Sequence, residues 1–346
     1  MHSLNSFYPT KHKDSTAFLL PFLNSFLWLR DLDLSFCNLS QVPDAIGWLH
    51  GLEVLNLGGN NFDRLPSSIK QLSKLTSLDL QLCRKLKSCP ELPTTTILPT
   101  VMRSPIELYI SNCPKLHEME CWNSVAFPWM LQVIQAQQES SNPIGVIDIF
   151  IPGSQIPRWY NIQSVGDSMN LDPSGVIHDS NWIVVSFCIA FPTCNLPTLL
   201  KNNCRAEVFF QCPSHPAHRG GRYYTRGNTS LLFGDPTTDK YLSMVKEVMD
   251  HLFIFYMTRE NFISSISCLR EENCNLDLID FSFLGQHQHG ETGNTHVYAK
   301  KHGLRWVYKQ DLEQLKANKS SSTHVHDGDF GIGSPILSSE PANSSA

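Results

Sequence analysis

The feature that most constrains this chain is a repeat. Leu29-x-x-Leu32-x-Leu34-x-x-Cys37 returns as Leu52-x-x-Leu55-x-Leu57-x-x-Asn60 and as Leu75-x-x-Leu78-x-Leu80-x-x-Cys83, at a fixed step of 23 residues. The second half of each unit returns with it: Val42-Pro43-x-x-Ile46-x-x-Leu49 matches Leu65-Pro66-x-x-Ile69-x-x-Leu72. A degenerate copy, Leu108-x-Ile110-x-x-Cys113-x-x-Leu116, is displaced by 30 residues, which places extra residues in the stretch Pro90 to Pro105. One unit of this length cannot bury its apolar face alone. Stacking does it, so the chain must wind into a curved solenoid.

The spacing assigns each residue a task. The two central leucines of a unit alternate along a short strand and point inward. The Asn or Cys three residues later satisfies buried backbone groups where the chain turns back, so Cys37, Cys83 and Cys113 read as structural thiols. The Leu-Pro-x-x-Ile stretch crosses the convex side and buries its Ile and Leu against the next turn. This is a short leucine-rich-repeat solenoid of the α/β class.

The outward strand positions form three rows: Asp31, Val54, Ser77, Glu107; then Asp33, Asn56, Asp79, Tyr109; then Ser35, Gly58, Gln81, Ser111. They line the concave face, where solenoids bind partners. Asp31, Asp33, Ser35, Asn56, Ser77, Asp79, Gln81, Glu107 and Tyr109 are therefore the candidate partner-binding residues, expected to be exposed. The plainer alternative is a solvated sheet face.

Beyond the repeats the pattern changes. Phe127 to Gln138 has helical spacing and suggests a connecting helix. Val146–Ile151, Trp182–Phe191, Ala206–Phe210, Leu252–Met257, Leu278–Leu284 and Arg305–Tyr308 are short β-rich runs between Gly, Pro, Asn and Ser clusters. Strands without helical patterns between them suggest an all-β sandwich. Gln310 to Lys316 reads as a last helical turn or two. The expected organisation is an irregular or partial repeat over 1–26, leucine-rich repeats over 27–117, a linker with a short helix over 118–143, the sandwich over 144–316, and a disordered tail over 317–346. Nothing in residues 1–24 reads as a polar cap, so the chain looks as if it starts inside a longer solenoid.

Composition narrows the partners. A net charge of −5 and a pI near 6.3 argue against nucleic-acid binding. The apolar run Ala17 to Leu29 is broken by Pro21, Asn24 and Ser25, falls short of the roughly 20 residues that span a bilayer, and makes a poor signal peptide. Eleven scattered cysteines, an odd number, favour reduced thiols in the cytoplasm or nucleus.

One segment carries a family resemblance. Phe150-Ile151-Pro152-Gly153-Ser154-Gln155-Ile156-Pro157-Arg158-Trp159-Tyr160 resembles the opening of the C-terminal jelly-roll/Ig-like domain (C-JID) of plant Toll/interleukin-1-receptor-type nucleotide-binding leucine-rich-repeat (TIR-NB-LRR) disease resistance proteins. The likeness continues through Gln163 to Gly166, Asn181 to Phe191, Asp250 to Tyr256 and Lys301 to Tyr308, where His302 replaces the family's usual Cys. Read physically, Pro152-Gly153 is a tight turn, Pro157 keeps the next segment extended, and Trp159 is an apolar anchor.

The resemblance implies a non-catalytic recognition module of an intracellular immune receptor. It implies contact with a pathogen effector or host protein through the concave face and sandwich loops, with other receptor chains as further partners. The family's NAD-cleaving and nucleotide-binding domains have no counterpart here: the sequence lacks Gly-x-x-x-x-Gly-Lys-Ser/Thr, Gly-x-Ser-x-Gly and His-Glu-x-x-His. No catalytic residue, cofactor, metal, nucleic-acid or membrane site is expected. Two alternatives stay open: a fragment of a longer NAD-cleaving receptor, and a standalone scaffold or decoy. Cys204, Cys212, His215 and His218 are the sharpest zinc candidate, but their spacing fits no common finger and Pro213 and Pro216 interrupt it. Cys268/Cys274, His287/His289 and His324/His326 are weaker. Lys300, Lys301, Arg305 and Lys309 read as a solvated strand edge.

Overall fold

The computed structural model describes residues 6–7, 28–88, 92–93, 106–119, 122–138, 147–166, 168–170, 174–191, 203–211, 219–224, 250–270, 278–286 and 295–314. In the repeats, β1 (Ser6–Phe7), β2 (Asp31–Asp33), β3 (Val54–Asn56), β4 (Ser77–Asp79) and β5 (Ile106–Tyr109) form a parallel ladder. Register aligns Leu32, Leu55, Leu78 and Leu108, so one leucine per strand enters the same layer of the core. All four are almost fully buried.

Each return begins at a proline. Pro43 and Pro66 precede short 3-10 helices at Asp44–Trp48 and Ser67–Gln71, where their fixed φ suits entry into a helical turn. Ile46 and Ile69 are buried there as the spacing requires. The turn after each strand places a left-handed residue at the equivalent position, and the first turn adds a second at Asn38. Phe36, Gly59, Leu82 and Asn112 fill that place with φ of 56°, 69°, 57° and 57°. Only one is glycine, and there a Cβ would come within 2.4 Å of the Phe36 ring.

The sheet continues past the repeats. After α1 (Pro114–Met119) and α2 (Trp122–Gln138), β6 (Ile147–Pro152) pairs parallel to β5. The chain then supplies β7 (Ile162–Val165), β8 (Ser168–Asn170), α3 (Ser174–Ile177), β9 (Trp182–Phe191), β10 (Asn203–Gln211) and β11 (Arg219–Tyr224). It ends with β12 (His251–Thr258), α4 (Arg259–Arg270), β13 (Leu278–Gln286), β14 (Thr295–Tyr298), β15 (Lys301–Tyr308) and a helical turn over 309–314. Beyond β6 the pairing turns antiparallel through β12, β9, β15 and β7, giving an open ten-stranded sheet. A second sheet runs β11-β10-β13-β14, with β8 also paired to β13.

All six β-rich runs read from the sequence are strands here, within a few residues of their expected ends. The helix expected from Phe127 begins earlier, at Trp122, and passes through Pro128. Helix α4, between β12 and β13, was not expected among the strands; β7, β8, β11 and β14 were too short or too polar to stand out. The tail over 317–346, most of 1–26 and most of the Pro90–Pro105 stretch lie outside the described residues.

The core runs without a break from Leu29 to Leu312. Helix α2 buries Trp129, Met130, Leu131, Val133 and Ile134. The Trp129 indole N–H donates to the Pro93 carbonyl at 2.9 Å. The helix thus joins the core of the repeats, and the same cluster reaches Val184, Ile254 and Val307 on the antiparallel strands.

The Pro-Gly-Ser motif acts as punctuation. β6 ends at Pro152, and the Gly153 N–H donates to the Asp250 carbonyl at 2.9 Å. Gly153 has φ +158°, in the positive-φ range that favours glycine, and a Cβ there would press on Leu252 at 3.0 Å. Trp159 is the expected anchor: it packs on Phe127, and the Arg305 guanidinium lies 4.7 Å over its ring. The basic group is solvent-exposed at Lys300 and Lys309 as expected, but it does not lie on a sheet edge. β15 lies between β9 and β7, Lys300 pairs with Asp250 at 2.9 Å, and Arg305 with Asp311 at 2.6 Å.

Candidate functional site: the concave rows

The ladder behind the rows is fully employed. The buried Asn60 amide donates to the carbonyls of Leu34 (2.9 Å) and Leu57 (2.7 Å), and its oxygen accepts from the Leu39 N–H at 2.9 Å. The thiols of Cys83 and Cys113 donate to the Leu57 and Leu80 carbonyls at 3.4 and 3.2 Å, one repeat back. Burial pushes the Cys83 thiol up to about 12, so it stays protonated and unreactive. These cysteines belong to the backbone of the solenoid.

In front of the ladder, the second row closes each strand. Asp33, Asn56 and Asp79 each accept, through Oδ1, the N–H two residues on: Ser35 at 2.8 Å, Gly58 at 3.0 Å and Gln81 at 2.8 Å. These are Asx turns, which Asp and Asn form readily. The sequence reading treated these positions as free for a partner. The structure gives each of them a local task first.

Exposure divides the rows. Asp31, Asp33, Ser35 and Asn56 are half-buried and open to solvent. Ser77, Asp79, Gln81, Glu107 and Tyr109 are buried, with Tyr109 only 1% exposed, so the expectation of exposure fails for these five. The reason lies in the sheet. β5 is followed by β6 and β12, so Tyr109 aligns with Phe150 and Phe253, and Glu107 with Asp148 and Phe255. Large side chains on the following strands crowd these positions, whereas β2 and β3 carry the smaller Asp31, Asp33, Val54 and Asn56. The repeat pattern stops at Leu116, so the sequence did not show that the face continues.

The closed end holds a polar network. Ser77 donates to Glu107 at 3.2 Å, the Gln81 amide to Asp79 at 3.1 Å, and the Ser111 hydroxyl to the Gln81 oxygen at 2.9 Å. The Asn112 N–H donates to His251 Nε2 at 3.2 Å, which ties the last repeat turn to β12. Both carboxylate oxygens of Asp148 are buried without a hydrogen-bond partner, and the buried Tyr109 hydroxyl faces the Glu107 carboxylate. Burial pushes Asp79 up to about 8 and Glu107 up to about 7, and carries Asp148 well above the carboxylate range. Neighbouring charge adds to this: Asp33 and Glu107 act on Asp79, and Glu107 on Asp148.

The Leucine rich repeat family matches residues 29–84. The chain is 29% identical over 187 residues to Disease resistance-like protein DSC1 of Arabidopsis thaliana, covering 47% of this chain and 15% of that protein. It is 29% identical over 191 residues to TMV resistance protein N of Nicotiana glutinosa, covering 50% of this chain and 16% of that protein.

The chain is a relative of the plant disease resistance proteins.

Disease resistance protein RPS4B of Arabidopsis thaliana is 25% identical over 298 residues, 75% of this chain and 23% of that protein, so the likeness reaches beyond the repeats. The chain spans about a sixth of the length of the first two relatives. As a disease-resistance relative it bears the family resemblance read from its sequence.

Among the described residues, no group of three or more His, Cys, Asp or Glu side chains is placed to hold a metal, and no helix is long and apolar enough to cross a membrane. Of the zinc candidate, only the backbone of Cys204 falls on a described strand; Cys212, His215 and His218 lie outside, as do Cys274, His287, His289, His324 and His326.

Proposed function

We propose that this chain is a recognition module in plant immunity, binding a protein partner, either a pathogen effector or a host protein, on the concave face of its repeats. One observation carries the reading. The half-buried Asp31, Asp33, Ser35 and Asn56 sit on a layer of fully buried leucines, a rigid platform that presents polar groups. The relatives, all named as resistance proteins, support the immune role. The two sheets of the C-terminal half are read as a jelly-roll/Ig-like sandwich beginning near residue 144, whose loops add contacts. The module works without chemistry of its own, in the cytoplasm or nucleus.

The test is partner capture with Asn56→Arg, which adds bulk and charge in the open part of the second row. Loss of a protein bound by the parent chain, with the variant still folded by circular dichroism and its melting temperature lowered by no more than the lost Asx-turn hydrogen bond explains, supports the reading. A partner retained by Asn56→Arg but lost on changing C-terminal loops would move the site to those loops.

A further inference from the structure

The concave rows carry one sign of charge. Asp31, Asp33, Asp79, Glu107 and Asp148 occupy them from β2 to β6, and no row position is Lys or Arg. Burial deepens along that line, from half-buried Asp33 through Asp79 and Glu107 to Asp148 at 0% exposure. A buried carboxylate without a donor is costly and persists only where a proton or a cation compensates it. Asp148 has no donor on either oxygen.

Resting on the concave-face reading above, we propose that this face takes a cationic segment of its protein partner, with an arginine side chain directed from the open strands β2 and β3 toward the acidic end at β4 to β6. The chemistry fits arginine in two ways. Its five N–H donors match a row of acceptor-only carboxylates, and its planar guanidinium stacks on aromatic faces. Such faces stand on the same side of the sheet: Phe150 lies in row with Tyr109, stacks on His251 at 5.1 Å, and neighbours Phe253.

The titratable groups facing this end are Asp79 on β4, Glu107 and Tyr109 on β5, Asp148 on β6 and His251 on β12. A guanidinium arriving among protonated carboxylates expels protons, so binding is linked to pH.

The experiment titrates the full chain with hexa-arginine, and with hexa-glutamate as the opposite-charge control, by calorimetry at low salt in two buffers of different ionisation enthalpy. Expected are hexa-arginine binding with proton release near pH 7 and an affinity that rises from pH 6 to pH 8. The double variant Asp33→Asn/Asp79→Asn should weaken it by about tenfold or more. Glu260→Gln/Glu313→Gln, which likewise removes two carboxyl groups, from exposed positions on other elements, should change it by less than about twofold. Circular dichroism confirms that both variants are folded. Equal weakening by the two double variants, or no proton release, overturns the proposal. If hexa-arginine fails while a protein partner is still lost on Asn56→Arg, the cationic assignment falls and the concave-face reading stands.

Discussion

Glu107 and Asp148 lie directly opposite one another across the parallel pair β5–β6, both carboxylates buried, at the join between the repeats and the strands that follow. Glu107 has a donor in Ser77, whereas Asp148 has none. Two like charges cannot both be held there cheaply. The native state keeps protons that the unfolded chain releases near pH 4.

This makes stability depend on pH with a definite sign. Asp79, Glu107 and Asp148 are all raised in the folded protein, so between about pH 4 and pH 8 the native state binds more protons than the unfolded one, and stability falls as pH rises. The melting temperature should be higher at pH 5 than at pH 8. Asp148→Asn, a permanent mimic of the neutral acid, should flatten that slope by raising the pH 8 value with little change at pH 5. A slope untouched by Asp148→Asn would show that this carboxylate is not protonated in the fold.

Gly59 sets a second test. It combines a left-handed φ of 69° with a close approach to the Phe36 ring. Gly59→Ala adds a Cβ into both constraints and should cost about 1–3 kcal/mol by chemical denaturation. Leu82 and Asn112 carry the same φ with a side chain, so the steric contact with Phe36 sets most of this loss. Gly59→Ala combined with Phe36→Ala should then lose less than the two single costs added.

The solenoid was readable because its rule is local and repeated. A strand leucine, a ladder Asn or Cys and a proline-led return recur at one step, and each occurrence checks the others. The continuation of the sheet was not readable. β6 joins β5 without sharing the repeat's spacing, and its other neighbour, β12, comes from about a hundred residues later in the chain. Pairing across such separations leaves no periodic trace, so Tyr109 read as an exposed concave residue when Phe150 and Phe253 stand in its row. The strands Trp182–Phe191 and Leu278–Gln286 were visible as apolar β-branched and aromatic runs, whereas polar Ile162–Val165 and glycine-bearing Arg219–Tyr224 offered no such contrast.

The ladder residue offers a graded prediction. Asn60→Ala leaves the Leu39 N–H and the Leu34 carbonyl without this partner, while the Leu57 carbonyl keeps the Cys83 thiol, and should cost about 2–4 kcal/mol. Asn60→Cys should cost less, because Cys83 and Cys113 satisfy a carbonyl from the equivalent place. Denaturant midpoints with an unchanged m-value would measure both. Equal losses would mean that the side-chain amide adds nothing beyond filling volume.

The last prediction separates platform from surface. Leu55 is fully buried in a core only one layer deep, so Leu55→Ala should cost roughly 2–5 kcal/mol. Tyr109 is equally enclosed, so Tyr109→Ala should cost a similar amount, about 3–5 kcal/mol, while Tyr109→Phe keeps the ring, loses only the hydroxyl's interaction with Glu107 and should cost no more than about 1.5 kcal/mol. Asp33→Ala, half-buried, loses one Asx-turn hydrogen bond and should cost no more than about 1 kcal/mol. Thermal and denaturant unfolding of the four variants checks the order. If Asp33→Ala unfolds the chain as badly as Leu55→Ala, the rows do not rest on the platform described, and a partner site on them loses its physical basis. If Tyr109→Ala is as mild as Asp33→Ala, the face is open as far as β5, and Tyr109 returns as a contact residue for the partner.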